Sequence, residues 1–119
     1  MVAFHHVNLG VPPDGIDDEA MFLVDVLGYE RIAAPAELEG RNVNWFRAAD
    51  GSEVHLSQDP DHRPAGRAHV AVVVGDLLDD VAERIRGRGA EVEIFDGVVG
   101  VRVALCRDPA GNRWELRSG

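Results

Sequence analysis

The chain of 119 residues has no lysine and no threonine, a single cysteine and only three serines. Without lysine a Schiff-base mechanism is excluded by inventory. Ser52, Ser57 and Ser118 are the only aliphatic hydroxyls, and none lies in a Gly-x-Ser-x-Gly turn, so serine nucleophile chemistry has little support. Cys106, alone, excludes an internal disulfide and fits a reducing cytoplasm. No glycine-rich phosphate loop of either common spacing is present. No apolar run approaches the length of a membrane span, and residues 1–20 lack the basic start and long apolar centre of a signal peptide, so a cytoplasmic protein with no membrane partner is expected. Net charge is −9, which opposes a polyanionic partner, because nucleic-acid binding depends on cationic side chains displacing counterions from phosphate.

What is present is a repeat. The stretch Ala68-His69-Val70-Ala71-Val72-Val73-Val74 resembles the opening stretch His5-His6-Val7-Asn8-Leu9-Gly10-Val11. Alignment puts His6 on His69 and Val7, Leu9 and Val11 on Val70, Val72 and Val74. After the first strand, Pro12-Pro13-Asp14-Gly15 makes a turn. A helix follows to about Leu27, capped by Asp17 or Asp18 and stopped by Gly28. Strands are expected at 29–33, 42–47 and 53–56. Residues 58–66 form a polar linker rich in Pro and Gly, after which the order restarts. Strand 68–74 leads to a helix capped by Asp76, then strands at 91–95, 98–106 and 112–117.

An offset of sixty residues matches the second halves without gaps: Trp45 on Leu105, Arg47 on Arg107, Gly51 on Gly111, His55 on Glu115 and Leu56 on Leu116. The predicted fold class is therefore α+β, as one domain of two tandem βαβββ modules. Module 1 spans 3–57, the linker 58–66 and module 2 67–117, with curved mixed sheets carrying helices on the outer face. A chain of this length holds one shared core rather than two independent ones.

Each module offers a ligand-type side chain at the head of its first strand, His6 or His69, and another in its last strand, His55 or Glu115. In each strand that residue is out of phase with the apolar set that should face the helix. All four are thus expected on the opposite face, where three imidazoles and a carboxylate suit a divalent ion: Zn, Ni, Co, Mn or Fe. His5 is out of phase and His62 lies in the linker, so both are expected at the surface.

These residues carry a resemblance. The strand starts FHHVNLGV and RAHVAVVV, the helix end FLVDVLGYE and the turn DPAGNRWEL are similar to the vicinal oxygen chelate superfamily. That group includes glyoxalase I, bleomycin-resistance proteins, fosfomycin-resistance enzymes, methylmalonyl-CoA epimerase and extradiol dioxygenases. The resemblance implies metal ligands in the first and last strands of each module, here His6, His55, His69 and Glu115. It also implies catalysis by stabilising an oxyanion or enediolate on a small oxygen-rich substrate, with Glu115 or His55 moving a proton. The chain departs from its better-known relatives at His55, where glyoxalase I usually has Glu and the epimerase Gln.

Parity adds expected pocket walls at Asn8, Asn44, Phe46, Ala71, Arg102, Ala104, Cys106 and Arg113, with Arg102 and Arg113 as anion anchors. The expected activity is that of a metal-dependent lyase, isomerase or transferase. A metal-free sequestering protein and an extradiol-type dioxygenase are the alternatives. Exposed sheet edges favour a homodimer, with modules paired within or between chains.

Overall fold

The computed structural model describes all 119 residues, which divide into two compact units, Met1–Arg63 and Pro64–Gly119. Each unit is a βαβββ module around one four-stranded mixed sheet. In the first, β1 (His6–Val11), β2 (Glu30–Ile32), β3 (Asn44–Arg47) and β4 (Glu53–Gln58) lie in the order β1-β4-β3-β2. In the second, β5 (His69–Val73), β6 (Val92–Asp96), β7 (Arg102–Arg107) and β8 (Arg113–Arg117) lie in the order β5-β8-β7-β6. The first and last strands of each module pair in parallel, as β1 with β4 and β5 with β8, and the remaining pairs are antiparallel.

The helices differ from the sequence pattern in their caps and in the turns that flank or extend them. Helix α1 (Ile16–Met21) starts at Gly15 with no side-chain cap, leaving Asp17 and Asp18 inside its first turn, where they still favour the helix dipole. It widens into a π-helical turn at Phe22–Val26 before Gly28, at φ +83°, ends it. In the second module a 3₁₀ turn at Gly75–Leu77 precedes α2 (Leu78–Gly87), so Asp76 sits in that turn and does not cap the helix. The expected long strand from 98 to 106 is broken for the same kind of reason. Residues Val98–Gly100 form a 3₁₀ turn with Val99 at φ 57°, and pairing begins only at Arg102.

Each module buries one sheet face under its helix. Val11, Phe46, Val54 and Leu56 join Phe22, Leu23 and Val26 in the first core. Ala104, Cys106, Trp114 and Leu116 join Leu78, Val81, Ala82 and Ile85 in the second. Apolar burial at roughly 25 cal/mol per Å² makes these two faces the main source of stability. Trp114, with no exposed surface, donates its indole N–H to Asp108 Oδ2 at 2.9 Å. The buried ring thereby keeps a partner for its one polar group. No helix is long and apolar enough to cross a membrane.

Candidate metal centre

Strand register decides which side chains share the face opposite each core, because residues directly opposite in a ladder point the same way. In module 1, His55 lies opposite Asn8 on β1 and Trp45 on β3, so the open face carries His6, Asn8, Trp45, Glu53 and His55. In module 2, Glu115 lies opposite Ala71 on β5 and Leu105 on β7, and Arg113 lies opposite His69. All four expected ligands, His6, His55, His69 and Glu115, therefore stand on the faces turned away from the cores. Asn8, Ala71 and Arg113 stand with them.

Register also moves several expected wall residues to the other side. Asn44 pairs with Leu56 and Phe46 with Val54, which puts both on the core face. There Arg31 crosses the Phe46 ring at 5.3 Å and donates to Asn44 Oδ1. Ala104 pairs with Leu116 and Cys106 with Trp114, again on the core side. Arg102 follows them and bonds Asp79 Oδ2 of α2 at 3.0 Å. Burial, with the nearby Asp108 carboxylate adding to it, pushes the Cys106 thiol up to about 12, so it is no nucleophile. The wall residues that replace them are Trp45 and Leu105, the two that the sixty-residue offset matches to each other.

The open face of module 2 brings two ligand-type side chains together. His69 Nδ1–H donates to the Arg67 carbonyl at 2.9 Å, a bond that leaves the Nε2 lone pair free. That Nε2 lies 3.8 Å from Glu115 Oε1, too far for a hydrogen bond. Glu115 Oε2 meanwhile accepts from Arg117 Nη1 at 3.1 Å, which steadies the carboxylate with Oε1 outward. Metal–ligand bonds of about 2.0–2.2 Å require two donor atoms on one ion to lie within roughly 4.3 Å of each other. His69 and Glu115 meet that condition, and each has the outer hydrogen bond that typically orients a metal ligand.

Module 1 is arranged differently. His55 is buried and sandwiched, its ring 4.3 Å from Trp45 and 4.0 Å from His6, with the three planes nearly parallel. Its Nε2 lies 2.9 Å from Glu53 Oε1, and Arg47 holds the other carboxylate oxygen at 3.1 Å. The His55 hydrogen bond, then Arg47, hold the Glu53 carboxyl below its ordinary value against the opposing effect of burial. His6 Nδ1 meets His5 Nδ1 at 2.8 Å, which turns its Nε2 away from that contact. Loss of water around the stacked ring, with His55 and His5 alongside, lowers the His6 pKa and favours the neutral form that binds metals. The His6 and His55 rings are stacked with their planes 13° apart, so their in-plane lone pairs lie in nearly parallel planes.

Neither module by itself gathers three or more His, Cys, Asp or Glu side chains around one point. Glu53 and Trp45 are the functional candidates that sequence reasoning missed. The alternation Glu53-Val54-His55-Leu56 is the available signal, since Glu53 is in phase with His55. His62, expected at the surface, is half-buried with its ring over Gly10, where an added Cβ would come within 2.9 Å of it.

A family model described as Glyoxalase/Bleomycin resistance protein/Dioxygenase superfamily matches residues 3–116. Among solved structures, a glyoxalase family protein from Bacillus anthracis shares 28% identity at a TM-score of 0.83, covering 98% of this chain and 94% of that one. A glyoxalase/dioxygenase from Nostoc punctiforme shares 23% at a TM-score of 0.81, covering 97% and 89%. A mutant of the fosfomycin resistance protein FosX from Listeria monocytogenes, complexed with Mn(II) and a dihydroxypropylphosphonic acid, shares 21% at 0.79, covering 100% and 91%. No protein of curated function matches the sequence.

Proposed function

The chain belongs to the glyoxalase/bleomycin resistance protein/dioxygenase superfamily, and from that membership we propose that it is a divalent-metal-dependent enzyme acting on a small oxygen-rich molecule. The single observation that carries this reading is the His69–Glu115 pair. Both donor atoms are free of hydrogen bonds to each other, lie within the span of one ion, and are each oriented by a second bond. In module 1, His6 offers an Nε2 turned away from its contact with His5. One imidazole and one carboxylate leave positions open for further ligands and for substrate oxygens. The Mn(II) held by the FosX relative supports the same choice of chemistry.

When bound, the metal acts as a Lewis acid that stabilises negative charge developing on a coordinated substrate oxygen. The chain's own residues do the rest. Arg67 and Arg117 fix the orientation of His69 and Glu115. His55, whose Nε2 is taken up by Glu53, serves as the proton-transfer group: the carboxylate sets its tautomer and stabilises it when charged. Trp45 covers the ring and excludes water from one side of it.

The test is metal analysis of protein purified without an affinity tag, beside His69→Ala and Glu115→Gln. About one divalent ion per chain, lost in both variants, is expected. Absence of metal with no gain on adding Mn, Ni, Co, Zn or Fe ions would sink the enzyme reading and leave metal-free sequestration of a small molecule. Size-exclusion chromatography with light scattering checks the dimer.

A further inference from the structure

Module 2 holds an open cavity of about 540 Å³ lined by Glu91, Glu93, Leu105, Arg107, Asp108 and Arg113, among others. Register places Arg107 directly opposite Arg113 across β7 and β8, and Arg113 beside His69 across β8 and β5. Like charges directly opposite in a sheet are unfavourable. The fold nonetheless keeps two guanidinium groups side by side here with no carboxylate between them. Arg86, Arg102 and Arg117 each hold a carboxylate. Arg107 and Arg113 hold none, and their hydrogen bonds run only to the backbone carbonyls of Ala65, Gly66 and Gly111. At the matched position of module 1 the same geometry carries an Arg47–Glu53 pair, neutralised at 3.1 Å. The repulsion in module 2 is therefore a property of its residues and not of the backbone.

We propose that Arg107 and Arg113 form an anion subsite for a phosphonate or phosphate group of the substrate. Two fixed cations match the charge of such a dianion, and each guanidinium fork can take two of its oxygens. Of the carboxylates lining the same cavity, Asp108 accepts from the Asn112 N–H and the Trp114 indole, while Glu91 and Glu93 repel an anion that extends across it, which confines the ligand's charge to the arginine end. The neighbouring His69 then sets where the rest of the molecule lies: its oxygens reach toward the His69–Glu115 pair. The subsite itself needs no metal. Only its role in presenting substrate to an ion rests on the reading above.

Calorimetric titration of EDTA-treated protein with methylphosphonate and with inorganic phosphate tests this, at fixed ionic strength, with acetate as the singly charged comparison. Saturable binding of the two phosphorus oxyanions, weaker by at least about tenfold for acetate, is expected. Arg113→Gln and Arg107→Gln should each weaken it by about tenfold or more, Arg113→Lys by less, and the remote Arg41→Gln not at all. Circular dichroism confirms that each variant folds. The proposal is overturned by an absence of saturable binding in the parent protein, by equal binding of acetate, or by binding that Arg113→Gln leaves intact. Protein that loads metal but fails this titration loses the subsite alone. Protein that binds methylphosphonate but no metal loses the enzyme reading alone.

Discussion

Across β3 and β4, Arg47 faces Glu53; sixty residues later, across β7 and β8, Arg107 faces Arg113. Two residues further along the last strand, His55 is locked to that same Glu53, whereas Glu115 stands 3.8 Å from His69 without a hydrogen bond between them. The modules share strand order, register and a helix-covered core. They differ on the open face. Module 1 satisfies its charged groups internally, by ion pair, hydrogen bond and ring stacking, while module 2 leaves a carboxylate oxygen, an imidazole nitrogen and two guanidiniums without partners that neutralise them. A duplicated fold thus differs between its copies on one face: the first closes its charged groups on each other, and the second leaves them open.

The strongest way to break this comparison is to show that the shared faces are not equivalent. Phe46→Ala and Trp114→Ala remove fully buried rings from corresponding core faces, and each should cost about 3–5 kcal/mol in chemical denaturation. A loss below about 1 kcal/mol in either variant would mean that one module's helix face is not a core.

Those two residues also mark the limit of what the sequence discloses. Repeat order and the sixty-residue offset are legible because single side chains mark them: His6 and His69 head their strands, and Gly51 and Gly111 hold turns at φ +90° and +85°. Facing in β3 and β7 is not legible. Trp45 and Phe46 are both aromatic, and Val103 to Cys106 is apolar throughout, so a period of two leaves no contrast to read. A strand read one residue out of phase turns every side chain to the wrong face. Such a slip puts Asn44, Phe46, Arg102 and Cys106 on the open side and hides Trp45, Leu105 and Arg107. Only the ladder pairs, Trp45 with His55 and Leu105 with Glu115, fix the parity.

A second test separates the roles given to His55 and Glu115, the matched residues of the two last strands. Glu115→Gln removes a charged donor, so metal affinity measured by competition with a chelating dye should fall by more than about 100-fold, the upper range for changes one shell further out. His55→Gln should leave affinity within about tenfold and instead lower turnover, because His55 is assigned to proton movement. Equal loss of metal in both variants would return His55 to the ligand set.

Glu53 distinguishes the closed module more directly. Glu53→Gln removes a buried carboxylate that holds His55 and Arg47, and should cost about 1.5–3 kcal/mol at neutral pH. Because the folded state lowers the Glu53 pKa, the carboxylate's contribution is fully present above the unfolded value and is lost as pH falls through the folded one. The difference between parent and variant should therefore shrink on acidification, with urea denaturation at several pH values as the readout. A pH-independent difference would mean that Glu53 acts by packing alone.

The smallest effect is also the most pointed. Arg113→Glu gives module 2 the ion pair of module 1, with a carboxylate facing Arg107 where an arginine stood. A cross-strand pair changed from like to opposite charge should stabilise the fold by about 0.2–1 kcal/mol in low salt, and the gain should fade as salt screens it. The same substitution should abolish methylphosphonate binding. An arginine pair kept for a ligand requires both results together, because its repulsion is then retained for function and costs the fold something. If Arg113→Glu instead destabilises the protein at low salt, the two guanidiniums are already well accommodated by the surrounding carbonyls, and the contrast between the modules is one of packing rather than of charge left open for an anion.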